Sequence, residues 1–271
     1  MITIPIAPRI VAPPEIYIPD RPGLIDLPPL IERDPIQAYS RRKASARHGA
    51  RKRASGGTPS DPLAIFSSRL FAWYQSDDLS LSGTDVLSYT DKSGNGNTLP
   101  PTGSGYAAYE ATGGPSGGPA VNHASSDEYY IAVTAPVSGS YISLFLVTAA
   151  NVANDGAPIL LDGDQCRIGF VSDGTKIDIR YSSSIGGYTT TFSYGSSWHR
   201  YWSYQRSDAW RFTIDGTLYE TDSVGTISSD AVDIALGHAY DGKIVLALYV
   251  SGFVTEAEVT DLDTWCTSQG F

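Results

Sequence analysis

The sequence predicts an all-β protein, an antiparallel sandwich with one C-terminal helix, preceded by an extended proline-rich arm. Three observations predict it: apolar and polar residues alternate from residue 63 onward, Asp-Gly dipeptides recur between the alternating segments, and prolines concentrate near the start. With 271 residues, the chain is long enough for one large all-β domain or two small ones, and either would bury a sizeable core.

Residues 1–57 differ from the rest and are predicted to form an anchoring arm. Eleven of the 17 prolines lie before residue 63. Proline removes amide donors and favours extended backbone, so this segment cannot build a core of its own. Its isoleucines would instead fill grooves on a partner, which predicts an arm held along another subunit; they include Ile4, Ile6, Ile10, Ile16 and Ile18.

A basic run follows the proline-rich part, with seven Lys or Arg between residues 40 and 53. Residues 61–271 carry nine Lys or Arg and 24 Asp or Glu, which gives a formal net charge of −15. The run could therefore contact an acidic neighbouring subunit, remain a solvated linker or, least favoured, bind nucleic acid. The residues proposed to make the contact are Arg41, Arg42, Lys43, Arg51, Lys52 and Arg53.

The domain at 63–271 contains clear strand patterns. In TKIDIRY, Ile177 and Ile179 alternate with Asp178 and Arg180, and AWRFTIDG and AVDIALG alternate in the same way. A period of two gives a strand one buried face and one wet face. Asp-Gly steps readily take the positive φ angles of tight hairpins, so many short antiparallel strands are expected.

The last residues, FVTEAEVTDLDTWCTSQGF, predict a helix. Thr255 can cap its start while Glu258 returns a hydrogen bond, forming a capping box. Val259, Leu262 and Cys266 then share one face, which predicts that the helix packs on the sandwich.

The segment TDKSGNGNTL predicts a tight turn in which Gly94 and Gly96 take left-handed backbone angles. A phosphate-binding loop would need a Lys-Ser/Thr pair after its last glycine, whereas the lysine here precedes the glycines. Asp91 and Asn95 are hard oxygen donors, so calcium binding is a weaker alternative at this loop. No other cofactor is expected.

The richest aromatic stretch is SSWHRYWSYQRSDAWRF, and it has two interpretations. Exposed rings could stack against sugars, whereas buried rings would form the sandwich core or an interface between subunits. The residues proposed for glycan contact are Tyr201, Trp202, Tyr204 and Trp210.

Familiar catalytic patterns are not found in the sequence. It has no Glu-x-Asp-x-Glu strand that would place two carboxylates about a glycosidic bond. Its four histidines show no metal-ligand spacing. The sequence therefore predicts a protein that is not an enzyme, and a glycan hydrolase is the least favoured function.

The domain contains four further motifs: LFAWYQSDDLSL, GTDVLSYTDKSGNGNTL, GGPAVNH and DEYYIAV. Together they resemble the concanavalin-A-like (laminin-G-like) jelly-roll domains of phage and bacterial surface proteins, and the resemblance covers roughly residues 63–271. Tyr89 stands where these domains usually have tryptophan, and AVNHA lacks their usual phenylalanine. The resemblance implies a two-sheet jelly roll of a dozen or so strands.

These observations favour a structural virion protein of a phage or phage-like particle: a capsid decoration, head-fibre or tail-fibre subunit present in several copies. The arm would hold it to other virion subunits, and its lectin-like domain would contact host glycans. The start has no signal-peptide pattern and no apolar run approaches the roughly 20 residues of a membrane span, so release by lysis is expected. The alternative is a free carbohydrate-binding module or lectin.

Overall fold

The computed structural model describes residues 59–124, 128–133, 141–150, 156–161, 166–170, 176–181, 188–191, 196–224 and 233–271. The chain divides between Gly57 and Thr58, and all described residues belong to the second unit. The predicted arm, with its isoleucines and its basic run, lies outside the described residues. No helix in the described part of the chain is long and apolar enough to cross a membrane.

The described residues form sixteen strands and two helices. Helix α1 is Pro62–Phe66 and helix α2 is Glu256–Gln269, while Ser67–Arg69 and Pro115–Gly117 are single 3-10 turns. The strands are β1 Leu70–Gln75, β2 Leu79–Ser82, β3 Asp85–Tyr89, β4 Ala108–Glu110, β5 Ala120–His123, β6 Tyr130–Val133, β7 Ile142–Ala150, β8 Gly156–Leu161, β9 Cys166–Phe170, β10 Lys176–Tyr181, β11 Tyr188–Thr191, β12 His199–Gln205, β13 Trp210–Ile214, β14 Thr217–Asp222, β15 Asp233–His238 and β16 Gly242–Ser251.

The strands form two antiparallel sheets. The larger has ten strands in the order β14-β13-β12-β7-β16-β5-β4-β3-β2, with β1 also paired to β16. The smaller has six strands in the order β11-β10-β9-β8-β15-β6. The prediction of two antiparallel sheets followed by one C-terminal helix is confirmed.

The main core lies between the two sheets, and the alternating segments supply it as predicted. Ile177 and Ile179 of β10 are buried in it, as are Phe212 of β13 and Leu236 of β15. The Asp-Gly step between β13 and β14 also behaves as expected, because Asp215 has φ +50° and the following glycine has φ +78°.

Helix α2 covers the outward face of the ten-stranded sheet. Its buried residues Val259, Leu262, Trp265 and Cys266 join a second apolar cluster that contains Trp73 of β1. The capping box is present: the Thr255 hydroxyl accepts from the Glu258 amide, and the Glu258 carboxylate accepts from the Thr255 amide. The predicted helix and its packing face are confirmed.

The prediction of strand structure throughout the region from residue 63 is wrong at its start, because the chain first forms α1. Asp61 caps this helix by accepting a hydrogen bond from the Ala64 amide at 2.8 Å, and Pro62 occupies its first position. Phe66 is buried in the same cluster as α2. The predicted boundary at residue 63 therefore falls inside a helix that belongs to the folded unit.

A buried polar group that the sequence did not indicate lies between the sheets at His123. Its Nε2 is 2.9 Å from the Tyr89 hydroxyl, and its Nδ1 is 2.7 Å from the Glu128 carbonyl oxygen. Burial lowers the pKa of His123 to about 4, an effect that the hydrogen bond to the Glu128 carbonyl opposes. The imidazole is therefore neutral at neutral pH.

The capping box gives a stability prediction. Thr255→Ala should lower the free energy of unfolding by about 0.5–2 kcal/mol, because it removes the side-chain acceptor at the start of α2. Chemical denaturation measures the change. Thr264→Ala, an exposed threonine in the interior of the same helix, is the matched control and should be close to neutral or slightly stabilising. Equal losses in the two variants would show that the cap has no special role.

Candidate functional site

The segment TDKSGNGNTL is a turn held by the buried carboxylate of Asp91. One carboxylate oxygen accepts from the Trp73 amide at 3.0 Å and from the Ser93 amide at 2.9 Å. The other accepts from the Asn97 amide at 2.9 Å. Three backbone donors therefore surround this carboxylate and fix the turn against β1.

The rest of the turn has the same structural character. The side-chain Nδ2 of Asn95 donates to the carbonyl oxygens of Leu70 and Phe71 at 2.8 and 3.1 Å. Gly94 and Gly96 have φ angles of +85° and +78°, which confirms the predicted left-handed turn. In the described part of the chain, no three His, Cys, Asp or Glu side chains form a metal-binding group.

The four aromatic residues proposed for glycan contact are all buried. Tyr201 and Trp210 lie in the core between the sheets, whereas Trp202 and Tyr204 lie in the cluster beneath α2. The two indoles are also hydrogen-bonded: Trp202 donates to Asp263 at 2.9 Å, and Trp210 donates to the Ser203 hydroxyl at 3.0 Å. Core packing, the alternative interpretation, is the arrangement found, so these rings do not form a glycan platform.

Because these aromatic rings are buried, a ligand must bind to another surface, and the outward face of the six-stranded sheet is the candidate. The side chains of α1 and α2 pack on the ten-stranded sheet. On the smaller sheet, β9 and β10 alternate so that Ile168 and Ile179 point into the core while Arg167, Asp178 and Arg180 point outward. These last three residues are named here the Arg-Asp-Arg face.

The strand register brings the three charged residues together. Arg167 and Arg180 are direct partners across the β9–β10 pair, and Asp178 is two residues from Arg180 along β10. The Arg167 guanidinium donates to the Asp178 carboxylate, and the Arg180 Nε is 4.0 Å from the same oxygen. Gly169 lies opposite Asp178, and a Cβ placed there would be 3.7 Å from the Arg167 Nε. The Arg167 side chain thus lies along the sheet over a glycine.

The Arg-Asp-Arg face combines several directed donors with a charged acceptor. A guanidinium presents five N–H donors in a fixed fork, and an ionised carboxylate accepts only. Hydrogen bonds to charged groups are stronger than those between neutral groups. All three side chains are partly exposed, so a polar ligand with adjacent hydroxyls can reach donors and an acceptor on one rigid surface.

Part of this site follows from the alternation pattern of the sequence. The pattern placed Asp178 and Arg180 on the wet face of a strand, but it assigned them no role, and Arg167 was not identified at all. The missing information is the register of β9 against β10, since only pairing shows that Arg167 lies beside Arg180. One feature of the sequence could have indicated the site: the outward residues of β10 are charged, whereas Thr or Ser is common on the wet face of a strand.

Comparison of the sequence with protein-family models gives no match, and comparison with curated proteins gives none either. Solved structures do match. Trypanosoma rangeli sialidase in complex with sialic acid has a TM-score of 0.54 at 11% identity; the match covers 87% of this chain and 39% of the sialidase. Domain 4 of a GH43 extracellular arabinanase from Geobacillus stearothermophilus, in complex with arabinotriose, has a TM-score of 0.50 at 18% identity.

The second match covers 72% of this chain and 98% of the arabinanase domain, whereas the chain spans about two fifths of the sialidase. At these identities the likeness concerns the fold, a β-sandwich that occurs in carbohydrate-active proteins. The prediction that the chain is not an enzyme is contradicted by these neighbours, which include glycosidases. It relied on missing sequence motifs, and such motifs do not cover every catalytic arrangement that this sandwich accompanies.

The turn at Asp91 gives a second stability prediction. Asp91→Asn should lower the free energy of unfolding by about 1–3 kcal/mol, because the new amide group must face one of three backbone donors. Thermal and chemical unfolding measure the loss. Asp77→Asn, which alters a more exposed carboxylate paired with Lys92, is the matched control and should change little.

The same variants test the calcium alternative. If the turn is purely structural, calcium and a chelator should give equal melting temperatures for the unmodified chain. A calcium-dependent rise in melting temperature that disappears in Asp91→Asn would contradict the structural interpretation and place a calcium ion at this loop.

Proposed function

We propose that the chain is a carbohydrate-binding β-sandwich protein that recognises glycans through the Arg-Asp-Arg face. The observation that carries the proposal is the cluster itself, in which two guanidinium groups flank one carboxylate on the outward face of a sheet. Sugar hydroxyls both donate and accept, so a hydroxyl pair can bridge a guanidinium donor and a carboxylate acceptor.

The rigidity of the face supports this proposal. The three side chains stand on two paired strands whose inward residues are buried in the core, so their positions are set before a ligand arrives. Preorganised polar groups lose less conformational freedom on binding than groups carried by mobile loops. The sandwich fold gives further support, because one solved structure of this fold is a domain in complex with arabinotriose.

We further propose that the protein is a virion subunit of a phage or phage-like particle, a concanavalin-A-like jelly roll displayed outside and held by its arm. The sequence of the arm favours this: its proline-separated isoleucines suit a groove on a partner, and its basic run suits an acidic one. Several copies would then present the Arg-Asp-Arg face to host-surface glycans. A free carbohydrate-binding module, whose arm is only a linker, is the rival proposal.

Glycan recognition is tested with the full chain on an array of neutral and acidic oligosaccharides, followed by calorimetry on the glycans that bind. Asp178→Asn and Arg180→Ala should each weaken binding roughly 10-fold or more, because each removes a charge-assisted hydrogen bond. Arg206→Ala is the matched control, since Arg206, in the loop between β12 and β13, forms an ion pair with Glu256 of α2, and it should bind normally.

The same glycans, incubated with the chain and analysed for released sugar, show whether binding is accompanied by hydrolysis. Binding that is unchanged in both Asp178→Asn and Arg180→Ala would place the site elsewhere on the domain. Failure of every arrayed glycan to bind would contradict the proposed function.

Particle attachment has its own test. Deleting residues 1–57 should leave glycan binding intact and abolish incorporation into particles, measured as copy number in purified particles. Serine at the five isoleucines named above should weaken attachment at all salt concentrations, because burial of apolar area contributes about 25 cal/mol per Å² and is not screened.

Glutamine at the six basic positions should instead remove the salt dependence of attachment, since exposed charges are screened beyond roughly 8–10 Å at physiological salt. If the deleted chain is still incorporated at the normal copy number, the arm is only a linker and the rival proposal is favoured.

A further inference from the structure

A second polar cluster lies on the outward side of the ten-stranded sheet, where β4, β5 and β16 run side by side. The Lys243 ammonium donates to one oxygen of Glu110 at 2.7 Å. The Asn122 side-chain amide donates to the other oxygen of Glu110 at 2.9 Å. One carboxylate therefore holds an amine and a carboxamide at the same time.

The sheet fixes the amine and the amide close to each other. Lys243 and Asn122 are direct register partners across the antiparallel β5–β16 pair. The Cβ atoms of such partners are about 4.5–5.5 Å apart, so the lysine nitrogen can reach the amide carbon of its neighbour. On the other side of Lys243, its register partner on β7 is the buried Ala149, so the lysine stem has a small neighbour there.

The carboxylate is also held in place. A Cβ built at Gly113 would lie 2.1 Å from the Glu110 Oε2, so only a glycine leaves room for the carboxylate in this position. The Lys243 and Glu110 side chains are 27% and 33% exposed, which leaves the group accessible to water through which a small product can leave. The amine and the amide are thus each hydrogen-bonded to the same proton carrier, and all three side chains stand on paired strands of one sheet.

We propose that Lys243 and Asn122 join in an intramolecular isopeptide bond, with Glu110 as the catalytic proton carrier. Glu110 takes a proton from the lysine ammonium, and the amine that results attacks the side-chain carbonyl carbon of Asn122. The bond from that carbon to Nδ2 then breaks. The two protons that lysine gives up leave with this nitrogen as an ammonium ion, and one proton stays on the new amide. The exchange is redox-neutral and needs no cofactor.

The bond would connect two neighbouring strands at the centre of the larger sheet. It would close a loop of 121 residues (243 − 122), and a covalent closure of that kind restricts the unfolded chain. The chain contains a similar set of groups in Lys92, Gln75 and Asp77, at 3.4 Å from lysine to the amide oxygen and 3.1 Å from lysine to the carboxylate. Its lysine and its carboxylate lie in turns, and only Gln75, the last residue of β1, lies on a strand, so this set provides the control.

The test is the intact mass of the full chain, purified without chemical treatment. We expect the main species to be lighter than its sequence by one ammonia, and a protease digest should contain one branched peptide that joins the segments around residues 122 and 243. Lys243→Arg and Glu110→Gln should each restore the full sequence mass and remove the branched peptide. Lys92→Arg should keep both the mass deficit and the branched peptide.

A full sequence mass in the unmodified chain would overturn the proposal. Loss of ammonia at the Asn95-Gly96 step, which can cyclise to a succinimide, would give the same deficit by another route. In that case the deficit would survive Lys243→Arg and disappear on mild alkaline hydrolysis, and the proposal would again be overturned. A deficit that resists alkali and depends on both Lys243 and Glu110 supports the bond.

Discussion

The backbone pairing of β16 is the interaction on which the rest of the fold depends. β7 pairs along its whole length on one side, while β5 and β1 share the other side, β5 at residues 242–244 and β1 at 246–250. A strand with three partners and both faces covered must be apolar almost throughout. Residues 243–250, KIVLALYV, are apolar except for the lysine at the start. A bulge between Ile244 and Leu246 adjusts the register, and a slip of one residue would exchange its two buried faces.

That central strand also decides where a ligand can bind. The inward face of the larger sheet packs on the smaller sheet, and its outward face packs on α2. The aromatic residues of β12 are therefore buried on both faces of the sheet. Phe145 of β7 illustrates this, since its ring lies 5.5 Å from Trp202 in the cluster beneath α2. The outward face of the six-stranded sheet has no such helix among the described residues, and β9 and β10 present charged side chains there.

Local patterns in the sequence predicted what local physics determines. Period-two alternation identified the buried isoleucines of β10, and the capping box at Thr255 identified α2. The five-residue α1 was missed although Asp61 and Pro62 are ordinary start signals, because the helix is too short to show periodicity. The burial of Tyr201 and Trp202 on opposite faces of β12 could not be chosen from sequence, since it depends on what covers each face. Contacts between strands that are far apart in the sequence could not be predicted either, because they depend on the pairing of the strands.

The two polar clusters on the outward faces differ in a way that assigns them different chemistry. In the Arg-Asp-Arg face the carboxylate of Asp178 is only 16% exposed while Arg180 is 39% exposed. A sheltered acceptor stays oriented, and an accessible guanidinium can exchange water for a ligand, which is the arrangement that reversible binding requires. At Lys243 the ammonium and the Asn122 amide both donate to the Glu110 carboxylate, so that acceptor is already occupied within the chain. Such a cluster is suited to reaction within the chain, and its position on the central strand is where a covalent link restrains the most structure.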